Sequence, residues 1–182
     1  MKKEYFIGIL LPKEVVDFIR ETPAFQYIVE KFRGVDPSLG CPRHITLHEP
    51  FQFEDESLVL ELKNIRSLST EFRLLLWGLG HFNSSVVYWD VLPVSDRFFK
   101  LHESITNSLK VERTPSPWQI TPHVSLVKEI TTDSFYSVYE YTQRRIVELK
   151  PITISVTSFC LFERTVRSDE PWEVAREFVF QS

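Results

Sequence analysis

His44-Ile45-Thr46-Leu47 and His123-Val124-Ser125-Leu126 are two tetrapeptides of one pattern within a chain of 182 residues. Each reads histidine, β-branched apolar residue, hydroxyl residue and leucine, and a proline comes shortly before each, at Pro42 and Pro122. In an extended strand, side chains at positions i and i+2 lie on the same face. Each tetrapeptide therefore predicts a strand that presents an imidazole and a hydroxyl on one face and buries two apolar side chains on the other.

The two pairs of polar side chains suit a phosphodiester if the strands converge. One of His44 and His123 can accept a proton while the other donates one, and an unperturbed pKa of ~6.5 lets both forms exist near neutral pH. The hydroxyls of Thr46 and Ser125 can donate hydrogen bonds to the non-bridging oxygens. The sequence leaves open which histidine is the acid and which the base, because the roles exchange with the direction of reaction.

Composition limits the class of protein. A hydrophobic fraction of 43% predicts a globular chain with a sizeable core. The net charge of −4 disfavours extended, non-specific binding to nucleic acid, which needs an excess of lysine and arginine. Two cysteines are too few for a disulfide framework, so we expect free thiols. The apolar run at 6–11 is too short to span a bilayer, and we expect a cytoplasmic monomer with no membrane partner.

Hydrophobic periodicity predicts alternating strands and helices, in which the order histidine strand, helix, strand, strand occurs twice. This order suggests a duplication, with one motif in each copy and no linker between the copies. The glycine-containing segment 78–83 is predicted to join two strands of a hairpin. The apolar alternation slips within 152–162, and we interpret the slip as a β-bulge. The predicted strands cover 5–11, 44–48, 71–77, 85–92, 120–128, 152–162 and 173–180.

These features resemble the 2H phosphoesterase superfamily, the group that contains bacterial 2′-5′ RNA ligase-like proteins and cyclic nucleotide phosphodiesterases. The superfamily is named for two motifs of the form His-x-Ser/Thr-apolar, which the two tetrapeptides match. The segment 78–82 and the strand after it are similar to a Gly-x-Gly-x-Phe segment and strand found in many members. Lys128 stands where many relatives have a basic residue. The second hydroxyl is Ser125, where threonine is commoner.

The resemblance implies an α+β fold of two pseudo-symmetric lobes of antiparallel β-sheet with flanking helices around a central groove, forming one bilobal domain over residues 1–182. It implies a metal-independent phosphoesterase without a cofactor. The partner would be a nucleotide or RNA end with a 2′,3′-cyclic phosphate or 2′-5′ phosphodiester. His44 and His123 would be catalytic, and Thr46, Ser125 and Lys128 would bind substrate. One alternative is a module that binds a nucleotide or RNA end with little turnover. Another is an interaction protein with structural histidines.

Several further residues lie near the motifs or are of a type that could act in the site. His48 is expected at the rim, His81 in an exposed turn and His102 at the edge of the core. Phe51 and Trp118 lie near the motifs, and for each the sequence leaves two alternatives: packing in the core, or stacking on a base. Arg43 precedes His44 and is expected to face away from the site, while Cys41 is expected to be a small packing residue.

Overall fold

The computed structural model describes residues 2–23, 26–27, 40–53, 57–109, 120–146, 151–166 and 170–181. Strands and helices alternate along the chain much as the periodicity predicts. The strands are β1 (Lys3–Leu10), β2 (His44–Phe51), β3 (Phe72–Phe82), β4 (Val86–Pro93), β5 (His123–Val127), β6 (Ile152–Val156), β7 (Ser158–Thr165) and β8 (Glu173–Val179). The helices are α1 (Lys13–Glu21), α2 (Ser57–Leu68), α3 (Arg97–Leu109) and α4 (Thr132–Ile146). The helical spacing of Phe25, Ile28, Val29 and Phe32 predicts a further helix that ends before Gly34, and most of this segment lies outside the described residues.

The strands form two antiparallel sheets of four, in the orders β2-β1-β7-β8 and β5-β4-β3-β6. The motif strands β2 and β5 occupy corresponding edges of the two sheets, which confirms the predicted α+β fold with two pseudo-symmetric antiparallel lobes. The two copies of the predicted duplication do not coincide with the two sheets. The first copy contributes β2 to one sheet, but its strands β3 and β4 belong to the other.

Alternation along the motif strands places their apolar residues in the core. Ile45 and Leu47 of β2, and Val124 and Leu126 of β5, are buried and belong to one large apolar cluster that includes residues of both sheets. The residues between them, including Thr46, are only half-buried. The predicted division of each tetrapeptide into a buried face and a polar face is therefore confirmed.

The phase slip in 152–162 marks a break between two strands, so the predicted β-bulge is wrong. β6 pairs with β3 in one sheet, and β7 pairs with β1 and β8 in the other. The chain crosses between the sheets at Thr157. Ile154 and Val156 enter the core from one sheet, and Phe159 and Leu161 enter it from the other. A bulge and a crossing both shift the apolar phase, and the sequence does not distinguish them.

The segment 78–83 is also different from the prediction, because β3 continues to Phe82. The turn of the hairpin is formed by Asn83 and Ser84, which have φ values of 45° and 52°. Two consecutive residues with positive φ are typical of a type I′ turn, which suits a tight hairpin. The predicted turn is too early in the chain because Gly78 and Gly80 lie inside β3, where they leave room for the side chains of Asp90 and Tyr88.

Arg43 joins the two sheets at the motif strands. Its side chain is 4% exposed, and its Nη1 donates a hydrogen bond of 2.6 Å to the backbone carbonyl of Ser125. A second link comes from His102 on α3, whose Nδ1–H donates to the carbonyl of Leu47 at 2.6 Å. Both bonds use the backbone of a motif: the Arg43 bond fixes the first motif relative to the second, and the His102 bond fixes the first motif relative to α3.

We expect Arg43→Ala to lower the free energy of unfolding by about 1–3 kcal/mol, because it removes a buried charge-assisted hydrogen bond and the packing of the aliphatic stem. Urea denaturation followed by circular dichroism measures this change. Arg97→Ala is the matched control, since the Arg97 guanidinium also donates to a backbone carbonyl, that of Glu71, but at an exposed position. An equal effect of the two substitutions would contradict the special role of Arg43.

Candidate active site

The two motif histidines are held by the same local hydrogen bond. Nδ1 of His44 lies 2.7 Å from the carbonyl oxygen of Pro42, and Nδ1 of His123 lies 2.8 Å from that of Thr121. A carbonyl oxygen only accepts, so Nδ1 carries the proton in each ring. In the neutral imidazoles the lone pair is therefore on Nε2, and among the described residues no hydrogen bond involves that atom. Each ring can accept a proton at Nε2, or donate one from it when charged.

The other three predicted site residues lie with the histidines. Thr46 and Ser125 are half-buried and share the faces of His44 and His123 on their strands. The positive charge of Lys128 lowers the pKa of both histidines, so the ammonium group is within electrostatic reach of both rings. The charge of His123 also lowers the pKa of His44. The structure thus brings both motifs and Lys128 to one place, which we call the two-histidine site.

An apolar cluster surrounds the ring of His44. The ring centroids of Phe6 and Phe162 lie 4.6 and 5.4 Å from that of His44, and Cys41 and Cys160 belong to the same cluster. Burial lowers the pKa of His44 to about 4, although the hydrogen bond to the Pro42 carbonyl acts in the opposite direction. His44 is therefore neutral in the free protein at neutral pH.

Cys41 packs directly against this histidine. Its Sγ lies 3.5 Å from Nδ1 of His44, and its side chain is buried. Burial raises the pKa of the Cys41 thiol to about 12, so the thiol stays protonated and uncharged. The prediction that Cys41 is a packing residue is confirmed, and the thiol contributes to the apolar environment of the imidazole.

The surroundings of His123 are more polar. The rings of Phe82 and Tyr88 lie 4.9 and 5.1 Å from its centroid, and Asp90 is its cross-strand partner on β4. Burial lowers the pKa of His123, while the Thr121 carbonyl and the negative charge of Asp90 act to raise it. Burial also raises the pKa of Asp90. His123 thus has a carboxylate neighbour, whereas the cluster around His44 is apolar.

Two glycines leave room for the rings at the site. A Cβ atom on Gly8 would lie 3.0 Å from the carbonyl oxygen of Ile45 and 3.4 Å from Cδ2 of His44. A Cβ atom on Gly80 would lie 2.3 Å from the ring of Tyr88, a distance that real Cβ contacts do not have. The glycine inside β3 therefore allows the Tyr88 ring to lie over its backbone, next to His123.

Phe82, Tyr88 and Asp90 lie against His123 and were not predicted from the sequence. Alternation along 86–92 places Tyr88 and Asp90 on one face of a strand, and this was the available signal. The missing information was the pairing partner, because only the β4–β5 register places Tyr88 opposite Ser125 and Asp90 opposite His123.

The remaining candidates near the first motif form a packing cluster. Phe51 is buried in the core, so its ring is not an exposed platform for a base. His48 contacts Phe51 edge-on at 5.1 Å between ring centroids, and its Nδ1–H donates to the carbonyl of Glu49. His48 is half-buried on the face of His44 and Thr46, further along β2.

The other histidines lie away from the site. His81 is exposed and contacts the rings of Phe135 and Tyr139 on α4, each at 5.1 Å, so it lies on the helix side of its sheet rather than in a turn. His102 donates to the backbone of β2 at the edge of the core, as predicted. Trp118 lies outside the described residues.

In the part of the chain that the structure describes, no group of three or more histidine, cysteine, aspartate or glutamate side chains is arranged to hold a metal ion. Within the same residues, the helices are all too short or too polar to cross a membrane.

The sequence pattern of the 2′-5′ RNA ligase superfamily matches residues 20–167, and the chain belongs to this family. A provisionally named phosphoesterase of Geobacillus sp. strain WCH70 is 24% identical over 103 residues, which cover 54% of this chain and 58% of that protein. A second protein with this provisional name, from Bacillus licheniformis, is 25% identical over 57% of this chain and 63% of its own length. The matches thus span less than two thirds of these curated relatives.

Solved structures share the fold over the whole chain. Escherichia coli LigT, in its complex with 3′-AMP, is 19% identical, has a TM-score of 0.72 and is covered completely by this chain, as this chain is by LigT. TT0787 of Thermus thermophilus is 19% identical with a TM-score of 0.68, and the match covers 99% of this chain and 98% of that one. At this identity the likeness shows the fold, which is the one implied by the resemblance of the motifs.

The surroundings of the two histidines predict that both imidazoles titrate below their ordinary range. In a pH series of NMR spectra, the His44 imidazole should titrate near pH 4, and the His123 imidazole below the ordinary value of ~6.5. Lys128→Met should raise the pKa of both rings, because it removes a nearby positive charge. Asp90→Asn should lower the pKa of His123, because it removes an attractive negative charge.

Lys100→Met is the control for these titrations, since Lys100 pairs with Asp96 on the exposed side of α3. It should leave both imidazole titrations in place. Unchanged titrations in Lys128→Met would show that the ammonium group is not at the two-histidine site.

Proposed function

We propose that this protein is a metal-independent phosphoesterase that acts on a 2′,3′-cyclic phosphate or a 2′-5′ phosphodiester of RNA or nucleotides. The observation that carries the proposal is the arrangement of His44 and His123. Each donates Nδ1–H to the carbonyl two residues earlier, each has Nε2 available, and their charges interact with each other and with Lys128. Such a pair suits general acid–base catalysis of phosphoryl transfer.

For hydrolysis, we assign His44 as the base and His123 as the acid. Burial in its apolar surroundings lowers the pKa of His44 to about 4, which favours the neutral imidazole that a base requires. Nε2 of His44 takes a proton from the attacking water, and Nε2–H of His123 gives a proton to the leaving oxygen. Asp90 favours the charged form of His123 and so supports its role as the acid.

Thr46, Ser125 and Lys128 bind the phosphoryl group in this mechanism. The two hydroxyls donate to the non-bridging oxygens, and the ammonium group offsets the negative charge that the transition state spreads over them. In the reverse direction, the roles of His44 and His123 exchange.

Nucleotide complexes of a structural neighbour support the ligand class. Escherichia coli LigT has been solved with 3′-AMP, NADP+, phosphate and ATP. We propose that this chain likewise binds a nucleotide or an RNA end, with its phosphate at the two-histidine site.

We further propose that the chain acts as one bilobal domain and as a cytoplasmic monomer. The apolar cluster shared by the sheets, and the links from Arg43 and His102, support one cooperative unit. The buried free thiols of Cys41 and Cys160 suit a reducing compartment.

In the presence of EDTA, purified protein should open 2′,3′-cyclic mononucleotides or the cyclic phosphate at an RNA end to a phosphomonoester, or cleave 2′-5′ dinucleotides to a nucleotide and a nucleoside. We expect His44→Ala and His123→Ala each to lower kcat by about 10²–10⁴-fold or more, because each removes a proton-transfer group. Thr46→Ala and Ser125→Ala should lose about 10–10³-fold, as oxyanion donors do. The double histidine variant should be little worse than either single one.

His81→Ala is the matched control, because His81 is an exposed histidine on the opposite side of its sheet. It should retain wild-type turnover, and circular dichroism should show that all variants are folded. Near wild-type turnover in a folded His123→Ala would refute the mechanism. Tight nucleotide binding without release of monophosphate would instead support a binding module.

The pH dependence of kcat/KM should be a bell with its maximum on the acidic side of neutrality. The rate rises with pH as His44 loses its proton near pH 4, and falls as His123 loses its proton at a pH below ~6.5. Asp90→Asn should move the alkaline limb to lower pH and leave the acid limb in place. The measurement is kcat/KM with a cyclic mononucleotide, and an optimum above pH 7 would contradict this assignment.

A further inference from the structure

An exposed apolar surface lies on the same sheet face as His123. Trp77 on β3 is 57% exposed and Leu92 on β4 is 45% exposed, and Leu75, half-buried, is the cross-strand partner of Leu92. We call these three residues the Trp77 shelf. Apolar side chains that are exposed together on one face are candidates for contact with a ligand.

The register of the sheet connects the shelf to the site. Leu76 pairs with Val91 and Leu79 pairs with Trp89, so Trp77 and Gly78 together lie opposite the single residue Asp90. Alternation from the buried Leu76 places Trp77 on the opposite face, and the extra residue lets Leu79 return to the face of Leu76. Gly78 has a φ of 93°, and a Cβ atom on it would lie 3.4 Å from Oδ2 of Asp90.

Three adjacent strands therefore carry one row of residues, with His123 on β5, Asp90 on β4 and Trp77 on β3. Neighbouring strands lie about 4.8 Å apart, so the row places Trp77 about 10 Å from His123. With a phosphate at the two-histidine site, one further nucleotide of the same strand covers this span.

We infer that the Trp77 shelf is a stacking subsite for a base of single-stranded RNA, next to the nucleotide whose phosphate reacts at the two-histidine site. This inference rests on the proposed function and narrows its substrate to oligonucleotides of at least two residues. Indole rings stack on any base and give little sequence preference. The Asp90 carboxylate, between His123 and Trp77, repels a phosphate and so favours a base over this part of the row.

Positive charges near the row suit the phosphates of such a strand. Lys128 is within electrostatic reach of the histidines at one end of the row. Arg73 is exposed on β3, four residues before Trp77 and in the same phase as Leu75 and Trp77. A protein partner or a second copy of the chain would also cover the apolar shelf. Neither would explain why the shelf lies on the same row of residues as His123.

The test compares kcat/KM for a trinucleotide ending in a 2′,3′-cyclic phosphate with kcat/KM for the cyclic mononucleotide of the same terminal base. Trp77→Ala should lower the trinucleotide-to-mononucleotide ratio about tenfold, the effect of losing one base stack. Trp77→Phe should keep most of the preference, because it retains an aromatic ring. Tyr136→Ala is the control, since Tyr136 is 71% exposed on α4.

A ratio within twofold of wild type in Trp77→Ala would overturn the shelf while leaving the proposed function in place. If the wild-type protein turns over neither substrate, the proposed function fails.

In that case, fluorescence polarisation with a labelled trinucleotide ending in a 3′-phosphate tests whether the Trp77 shelf binds a base. Binding about tenfold weaker in Trp77→Ala supports it, and equal or absent binding overturns it. A change of oligomeric state in gel filtration, without a change in the ratio, would identify a protein interface and also overturn it.

Discussion

The hydrogen bond from Arg43 to the carbonyl of Ser125 links the two edge strands that carry the motifs. Each motif lies at the edge of its own sheet, and within a sheet the backbone ladder determines only the neighbours of that strand. The position of one imidazole relative to the other therefore depends on contacts between the sheets. A guanidinium suits this position because it donates in a fixed direction and remains charged at every relevant pH. The residue before the first histidine thus supports a two-histidine site whose polar face it does not share.

The pseudo-symmetry of the fold gives both histidines the same hydrogen bond but different surroundings. Phe6, Phe162 and Cys41 make the environment of His44 apolar, and burial without a compensating charge disfavours the imidazolium. On the second lobe, Asp90 partly offsets the same desolvation at His123. A symmetric scaffold can therefore hold one neutral and one charged imidazole at the same pH. That difference is what a pair acting as acid and base requires.

Much of the fold and the centre of the site could be predicted from the sequence because both depend on short-range periodicity. The i, i+2 pattern of each tetrapeptide determines which side chains are buried, and the resemblance of the two motifs to the 2H phosphoesterase superfamily implied the two antiparallel lobes. The errors arose where periodicity has two structural causes. The slip near Thr157 fits a bulge as well as a crossing between sheets, and Gly80 fits a turn as well as a strand that passes close to Tyr88. Pairing between β4 and β5 is a long-range property, so Asp90 was not identified as a neighbour of His123.

The same irregularity of β3 links the chemistry of the site to the recognition of its ligand. Opposite Asp90, Gly78 leaves space for the carboxylate, while alternation from the buried Leu76 places Trp77 on the polar face of the sheet. A regular strand would have only one residue at this point, and would offer either the space or the indole ring. Because bulges change the direction of side chains without changing the sheet around them, they are common beside functional sites. The irregularity therefore allows the carboxylate beside His123 and the indole ring of Trp77 to share one part of the sheet face.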